Sequence, residues 1–244
     1  MDMVRYDGKK KNPAFSIIVP VLNEKEGIQS FLQHLKDISA GESIELIVVD
    51  ADPAGSTINK IRSGEVMKLL SPKGRGIQMN RGADVAKGNV LLFLHADTFL
   101  PKNALGHIKN ALMDDVYVGG AFDLGIDSGR ILLRLTALCA SLKHRMTRVP
   151  YGDQAIFIRS DFFRAIGGYR EVPLFEDVEL MRRIKKLKKK INIIRYRTRT
   201  SPRKWEKEGA LYTILRNWSL QVLYLLGASP EFLVKYYYGK KGYE

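Results

Sequence analysis

One stretch of the sequence, residues 90–94 (VLLFL), contains five apolar residues in succession and ends abruptly at the polar pair His95 and Asp97. An uninterrupted apolar run of this length is typical of a strand buried on both faces, as the central strands of a parallel sheet are. In open α/β sheets, ligands bind beyond the carboxyl ends of such strands. The run therefore predicts an α/β fold with a divalent cation or phosphate site at His95 and Asp97, and capping of the next loop is the alternative.

Strand and helix patterns alternate along the first ~120 residues, a length typical of one sheet-forming unit. Apolar runs predict strands at residues 15–22, 44–49, 66–70 and 90–94. Helical spacing of apolar residues predicts helices at residues 24–38 and 74–87. Such alternation is typical of a mostly parallel sheet with right-handed crossovers and helices on both faces.

Four carboxylates are expected at the carboxyl-terminal edge of this sheet, namely Glu24, Asp50, Asp52 and Asp97. In a chain with a net charge of +14, this concentration of acids favours a site for a cation or a polar ligand. Helix capping is the alternative for Asp50, and it applies to Asn23 and Ser56 as well.

The length, charge and cysteine content of the chain limit the classes of protein and partner that it fits. A chain of 244 residues can bury a full core, and its 40 Lys and Arg against 26 Asp and Glu favour anionic partners such as nucleotides, nucleic acid or acidic lipid. The single cysteine, Cys139, excludes an internal disulfide and a cysteine-based zinc site, which is typical of a reducing compartment. Residues 1–11 are polar and basic and lack the apolar segment of a secretory signal, so we expect a cytoplasmic location.

Several segments, in their order along the chain, resemble the family 2 inverting glycosyltransferases. The nucleotide-sugar half of that family is resembled by residues 15–24 (FSIIVPVLNE), 47–50 (IVVD), 78–82 (QMNRG) and 91–98 (LLFLHADT). The acceptor half, with its Glu-Asp motif, is resembled by residues 150–154 (PYGDQ), 166–169 (IGGY) and 175–180 (FEDVEL). The combination of HADT, YGDQ and EDVEL is similar to a bacterial subgroup of the family.

The resemblance implies a GT-A fold, which is a Rossmann-like α/β fold with a mostly parallel central sheet, helices on both faces and, here, a C-terminal helical segment. It divides the chain into a basic N-terminal tail (1–14), a nucleotide-sugar-binding half (15–120), an acceptor and catalytic half of the same domain (121–205) and C-terminal amphipathic helices (206–244). The implied activity is the transfer of a sugar, with inversion, from a nucleoside-diphosphate sugar to an acceptor hydroxyl or a lipid phosphate.

Donor binding is assigned by the resemblance to the strand ends and to the helix that follows Lys73. The implied nucleotide-sugar-binding residues are Pro20, Asn23, Glu24, Asp50, Arg75, Gln78, Asn80, His95 and Asp97. A Mn²⁺ or Mg²⁺ held by Asp97 would neutralise the leaving diphosphate. The wider family commonly has Asp at the position of His95, so His95 is expected either to bind the metal more weakly or only to orient the diphosphate.

Inversion by a single displacement needs one general base that takes the proton of the acceptor. The resemblance assigns this role to Asp177, with Glu176 as its positioning neighbour. Both residues begin a predicted helix, so favourable placement at the positive helix N-terminus is the alternative. The acceptor-binding residues implied are Gly152, Asp153 and Gln154, and, from a segment similar to the Gln-x-x-Arg-Trp of processive members, Arg203 and Trp205.

The C-terminal third leaves two interpretations open. Apolar residues recur at helical spacing over residues 211–225, but the uncharged stretch at 217–226 is shorter than the ~20 residues of a membrane-spanning helix. With the basic segment 182–190 (RRIKKLKKK), these aromatic-rich helices fit a peripheral contact with the anionic inner face of the cell membrane, where a lipid-linked acceptor would be presented. Packing of the helices on their own core is the alternative.

A second class of function is a basic protein that binds nucleic acid or an anionic surface and has no transferase activity. Residues 182–190 contain seven basic side chains that could contact phosphates. No recognised nucleic-acid motif accompanies them, so nucleic acid is not the expected partner.

Overall fold

The protein is described here by a computed structural model that covers residues 13–39 and 41–238; residues 1–12 of the predicted N-terminal tail lie outside these ranges. The strands are β1 (Phe15–Val21), β2 (Ile44–Asp50), β3 (Val66–Leu70), β4 (Val90–Phe93), β5 (Thr98–Phe99), β6 (Tyr117–Asp123), β7 (Phe157–Arg159), β8 (Lys190–Arg197) and β9 (Arg199–Thr200). The helices are α1 (Ile28–Ile38), α2 (Arg75–Val85), α3 (Ala104–Ala111), α4 (Ile131–Thr147), α5 (Ser160–Ala165), α6 (Glu176–Lys186), α7 (Arg203–Glu208), α8 (Ala210–Leu225) and α9 (Pro230–Tyr238).

A central sheet of seven strands has the order β3-β2-β1-β4-β7-β6-β8. Strands β1 to β4 are parallel to one another, β7 is antiparallel to both of its neighbours, and β8 is parallel to β6. The predicted mostly parallel sheet is therefore confirmed. Since β6 crosses the predicted boundary at residue 120, the donor and acceptor halves share one sheet.

The apolar run that predicted a buried strand forms β4, in the middle of the sheet. Leu92 contributes to the core on one face of the sheet and Leu91 to the core on the other, and both side chains are fully buried. Helices α1 and α3 cover the first face, whereas α2, α5 and α6 cover the second. Because both faces are covered, every strand position from 91 to 93 can be apolar, and the polar residues begin only where the strand ends.

The first helix begins later than the apolar spacing predicted. α1 starts at Ile28 rather than at Glu24, and Gly27 is the residue that precedes it. Asn23 adopts a left-handed backbone conformation with a φ of 60° and does not cap the helix. The segment between β1 and α1 is therefore a loop at the edge of the sheet.

The three C-terminal helices pack against segments of the α/β domain, α7 near Leu124 and Ile126 and the pair α8 and α9 near Leu174. Leu220 of α8 and Leu233 and Val234 of α9 are buried in a small core with Leu174, which lies just before α6. One face of α8 and one face of α9 therefore pack on the protein's own core, as the alternative interpretation predicted. None of the helices within 13–39 and 41–238 is both long and apolar enough to cross a bilayer.

Candidate active site

A pocket of about 210 Å³ lies beyond the carboxyl end of β4. It is bounded by the loop after β4, the 3-10 turn Gly152–Gln154, the start of α6 and one side of α8. Eight of the residues that the sequence singled out meet here: Arg75, His95, Asp97, Gly152, Asp153, Glu176, Asp177 and Trp205. Donor, acceptor and catalytic residues predicted from separate segments thus share one cavity.

Asp177 is held by two backbone N–H groups. The N–H of Gly152 donates to Oδ2 over 2.7 Å, and the N–H of Val178 donates to Oδ1 over 2.7 Å. One donor belongs to the first turn of α6, as the helix N-terminus alternative requires, and the other comes from a loop 25 residues earlier in the chain. The carboxylate is consequently fixed in one orientation at the pocket wall.

Burial and mutual repulsion alter the acidity of the carboxyls in the pocket. Burial, followed by the charges of Asp177 and Asp97, raises the pKa of Asp153 to about 7. Burial and the charge of Asp177 raise the pKa of Glu176 to about 7, against the opposing charge of Arg75. The pKa of Asp177 is also raised by burial, although the N–H donors of Gly152 and Val178 oppose this. Carboxyls with a pKa near neutrality are well matched to general base chemistry.

The Oδ1 atom of Asp153 is buried and has no hydrogen-bond partner within the described residues. A buried carboxylate oxygen without a donor is unfavourable, typically by a few kcal/mol. A hydroxyl of a bound sugar or acceptor would supply the missing donor. This is the strongest sign in the pocket of a polar ligand.

His95 packs tightly against the turn that carries Gly152. A Cβ placed on Gly152 would lie 2.7 Å from Nε2 of His95, closer than such atoms approach in real structures. Burial, and secondarily the charge of Arg75, lowers the pKa of His95 to about 3. At neutral pH the imidazole is therefore neutral and retains a lone pair for a metal ion or a hydrogen bond.

Asp50, predicted to bind the nucleotide, is fully buried and organises its own loop. Its carboxylate accepts hydrogen bonds from the backbone N–H groups of Asp52, Thr57 and Ile58 over 2.9 to 3.2 Å. Two of these N–H groups, those of Thr57 and Ile58, lie at the start of the 3-10 turn Ile58–Lys60, so Asp50 caps this turn as the alternative interpretation predicted. Asp50 therefore shapes the loop, and its contact with a nucleotide stays a prediction.

Three predicted ligand-binding amides are instead occupied within the protein. Gln78 Nε2 donates to the carbonyls of Val21 and Val49, which ties the ends of β1 and β2 together. Asn80 forms a two-way pair with the backbone of Tyr169. Gln154 is fully buried; its Oε1 accepts from the Tyr151 N–H and its Nε2 donates to the carbonyl of Phe122. Each amide joins separate segments of the chain, and its contact with a ligand stays a prediction.

The remaining predicted residues lie outside the pocket lining. Pro20 is buried in β1, Asn23 is exposed in the loop after it, and Arg203 is exposed at the start of α7. Burial and the charge of Asp97 raise the pKa of Glu24, and Arg203 opposes this shift. Glu24, Asp97 and Arg203 are thus electrostatic neighbours at the rim of the pocket.

Several pocket residues were not assigned any role from the sequence. Tyr151 lines the pocket, and Lys143 of α4 donates to its hydroxyl over 3.3 Å and to Gln221 Oε1 of α8 over 2.9 Å. Asn217 and Tyr237 reach the pocket from α8 and α9. Only the packing of the C-terminal helices brings Asn217, Gln221 and Tyr237 to the site, and no local sequence motif predicts their position there.

The family model of glycosyl transferase family 2 matches residues 16–167 of the chain. The chain belongs to glycosyl transferase family 2. The matched stretch includes His95, Asp97, Gly152 and Asp153 but ends before α6, so the family match does not by itself assign a role to Asp177.

Curated relatives of this family 2 chain bear glycosyltransferase names. PGL/p-HBAD biosynthesis glycosyltransferases of Mycobacterium bovis and Mycobacterium tuberculosis are 28% identical over 169 residues, which is 64% of this chain and 63% of theirs. The dolichol-phosphate mannosyltransferase of Pyrococcus furiosus is 25% identical over 118 residues, 45% of this chain and 34% of that protein. The chain therefore spans less than two thirds of the length of these relatives.

A solved structure of Staphylococcus aureus TarS, residues 1–349, superposes with a TM-score of 0.57 at 17% sequence identity. The superposition covers 86% of this chain and 65% of that one. Together with the family match, this likeness confirms the GT-A-like α/β fold with its helical C-terminal part.

The raised pKa of Glu176 in this family 2 chain leads to a stability prediction. A carboxyl whose pKa rises on folding favours the folded state fully below its unfolded pKa of 4.5, and this contribution is lost as the pH rises through about 7. Glu176→Gln stays neutral throughout. We expect the variant to gain up to roughly 3 kcal/mol in the free energy of unfolding over the parent at about pH 8, and almost nothing at about pH 3.5.

Urea unfolding at both pH values measures this difference. Glu179→Gln, in the same helix turn, is the control, because Glu179 is paired with Arg170 and Arg183 and its loss should lower stability instead. Equal pH dependence in the parent and in Glu176→Gln would contradict the assignment of a buried, destabilising charge to Glu176.

Proposed function

We propose that this chain transfers a sugar from a nucleoside-diphosphate sugar to an acceptor hydroxyl with inversion at the anomeric carbon. The observation that supports this most is the meeting of Asp97, Asp153, Glu176 and Asp177 around Arg75 in one pocket of a family 2 fold. The PGL/p-HBAD and dolichol-phosphate names of the relatives favour a lipid-linked acceptor.

The chemical step needs a base on the acceptor side. Asp177, oriented by two N–H donors, would take the proton of the acceptor hydroxyl as its oxygen attacks the anomeric carbon. The bond between that carbon and the diphosphate oxygen then breaks, and its electron pair leaves with the diphosphate. Attack from the face opposite the leaving group inverts the configuration in a single step.

A hydroxyl acceptor suits this pocket better than a lipid phosphate. An anionic phosphate would have to approach Asp153, Glu176 and Asp177, and like charges in a buried site repel one another. A neutral hydroxyl meets no such barrier and can donate to the unpartnered Oδ1 of Asp153.

The residues present fit a metal ion that arrives with the donor. Asp97 offers one carboxylate and His95 one neutral imidazole, and the described residues contain no group of three His, Cys, Asp or Glu that could hold a metal alone. Mg²⁺ and related ions often take the rest of their ligands from substrate phosphates and water. Such an ion would neutralise the charge of the leaving diphosphate, and Arg75 adds positive charge beside it.

The alternative of a nucleic-acid-binding protein without transferase activity is not favoured. The basic residues of segment 182–190 lie on α6, in the turn after it and at the start of β8. Arg183 donates to the carbonyls of Ile166 and Gly168 and to the carboxylate of Glu179. Part of this charge therefore serves the fold.

Donor and metal binding can be tested by thermal shift with UDP-, GDP- and dTDP-sugars, with and without Mn²⁺. We expect one donor class to stabilise the parent, by about 2.7 kcal/mol at a hundred times its Kd, and Mn²⁺ to add to this. Asp97→Asn should lose the part that depends on Mn²⁺, while Asp84→Asn, exposed on α2, should retain it.

Two results would count against these assignments. An unchanged Mn²⁺-dependent shift in Asp97→Asn would remove Asp97 as the metal ligand. Absence of stabilisation of the parent by all three donors would contradict the proposed donor class.

A further inference from the structure

Helix α4 has two apolar faces, and only one of them is covered. Leu133 and Ala137 pack in a small core with Leu124 and Ile126. On the exposed side a second row, which we name the α4 stripe, recurs at intervals of four, three, four and four residues: Ile131, Leu135, Leu138, Leu142 and Met146. An amphipathic helix of a globular protein normally exposes polar residues on its outer face. We therefore expect the α4 stripe to be covered by another molecule or surface.

Helix α8 repeats the pattern. It buries Leu220 against α9, and exposes a row that we name the α8 stripe: Leu211, Leu215, Trp218, Val222 and Leu225. Trp218 is 59% exposed and Leu225 63% exposed. Contiguous exposed apolar surface beyond a few hundred Å² is rare on monomeric soluble proteins and marks an interaction site.

The two helices border a groove of about 480 Å³, the α4–α8 groove. It takes Cys139 and Ala140 from α4 and Trp218, Val222 and Leu225 from α8. Its size falls in the range of sites that enclose drug-sized ligands, ~300–1,000 Å³. An apolar ligand of that size would be shielded from water by both helices.

The groove is continuous with the active-site pocket. Tyr151, Asp153, Trp205, Asn217 and Gln221 line both cavities. Lys143 lies at their junction, where its Nζ is 4.9 Å from the centroid of the Tyr151 ring. A ligand that fills the groove can therefore present a polar end to Asp153.

The groove lining contains one anion, Asp153, and one cation, Lys143, and the other charged side chains of its two helices are basic. Neither α4 nor α8 contains an Asp or Glu, whereas Arg134, Lys143, Arg145 and Arg216 lie within them. The chain as a whole carries a net charge of +14. Apolar side chains combined with flanking cations are the features that hold helices on an anionic lipid surface.

We propose that the α4 and α8 stripes rest on an anionic membrane surface and that the α4–α8 groove takes the hydrocarbon chain of a lipid acceptor from it. The acceptor hydroxyl then enters the pocket past Lys143 and meets Asp153. This inference rests on the proposed glycosyl transfer, which it deepens by naming the acceptor's apolar part and the surface that binds it.

A second copy of the chain fits the surface less well. In a two-fold symmetric dimer the same patch faces itself, so Arg134 and Lys143 would oppose the same cations of the partner, and neither helix carries an acid to pair with them. Arg145 and Arg216 are already paired with Asp123 and Glu208 of their own chain. A dimer contact over the stripes would also not account for the connection between the groove and the active-site pocket.

Cys139, the single cysteine of the chain, reports on occupancy of the groove because it is exposed there. We would measure its alkylation by a membrane-impermeant sulfonated maleimide, with n-decyl β-glucoside below its micelle concentration or with glucose alone. At about ten times the Kd of decyl glucoside, alkylation should slow by roughly tenfold, since only about one molecule in ten is then unliganded. Glucose should have no effect.

The matched control carries Cys139→Ser and Met113→Cys, which moves the thiol to an exposed position outside the groove. Slowing at both positions, slowing by glucose, or no slowing at Cys139 would overturn the groove assignment. Slowing that appears without detergent when the protein is concentrated would also overturn it, in favour of a second copy.

Vesicle co-sedimentation tests the surface. The parent and Met113→Glu should bind phosphatidylcholine vesicles that contain phosphatidylglycerol, and added salt should release them. Leu138→Glu, in the α4 stripe, should bind far less. Binding that ignores salt and lipid charge, or that survives Leu138→Glu, would overturn the membrane contact. Donor-induced thermal shift on the same samples tests the proposed transfer separately, since it requires no lipid.

Discussion

Asp177→Asn is expected to lower the turnover of sugar transfer by a factor of about 10² to 10⁴ while the affinity for the donor changes little. Asparagine keeps the volume of the side chain but cannot take the acceptor proton. Its amide can accept from only one of the two N–H groups, those of Gly152 and Val178, that now hold the carboxylate. The cost of the lost hydrogen bond is about 1 kcal/mol, small enough for the protein to remain folded.

The measurement compares kcat and donor Kd for the parent, Asp177→Asn and the control Glu179→Gln. Glu179 lies in the same helix but is paired with Arg170 and Arg183 outside the pocket. Normal turnover in folded Asp177→Asn would reduce Asp177 to its role at the helix N-terminus. A larger loss of turnover in Asp153→Asn would transfer the role of base to the neighbouring carboxylate, whose pKa is also raised.

The strands of the first half of the fold were predictable because their apolar patterns can be recognised within short stretches of sequence. Strands β1 to β4 are mostly apolar segments, interrupted only by Ser16, Glu45 and Lys68, and the predicted bounds differ from the observed ones by at most one residue. Burial on both faces makes such runs unmistakable, as with Leu91 and Leu92 of β4. The antiparallel strand β7 is only three residues long and depends on pairing with β4 and β6, which periodicity does not reveal.

The position of the pocket carboxylates was easier to predict than the hydrogen-bond partners of Gln78, Asn80 and Gln154. Asp97 follows a buried strand and Asp177 lies in the first turn of a helix, and these local positions place both acids at one edge of the sheet. By contrast, the partners of Gln78 lie 57 and 29 residues earlier in the chain, at Val21 and Val49. An amide that supports the backbone and one that binds a ligand look the same in sequence.

The second apolar face of α4 shows another limit of sequence reasoning. Apolar residues lie on more than one side of α4, so their spacing in the sequence does not show which of them are buried. Only the structure shows that Leu133 and Ala137 are covered, whereas Ile131 and Met146 are 72% and 84% exposed. The surface that the C-terminal aromatic residues were expected to form therefore includes a helix from the middle of the chain.

Gly152→Ala is expected to reduce turnover by about 10²-fold, because a displacement of about 1 Å in a catalytic constellation has a cost of this order. The new Cβ would lie 2.7 and 2.8 Å from Nε2 and Cε1 of His95, so either the imidazole or the 3-10 turn must move. Movement of the turn withdraws the N–H that orients Asp177. The backbone of Gly152 has no positive φ, so strain of the main chain does not contribute.

A double-mutant cycle with His95→Ala separates this steric effect from a general loss of structure. If the loss of turnover arises from contact between the new methyl group and the imidazole, Gly152→Ala should have little further effect on kcat in the His95→Ala background. Additive losses in the two backgrounds would instead contradict the contact as the cause. Thermal unfolding of all four proteins should remain cooperative, since Gly152 and His95 line the pocket rather than the two main cores. Non-additivity in kcat with preserved folding would thus identify the turn at Gly152 as the element that couples the diphosphate side of the pocket, through His95, to the base at Asp177.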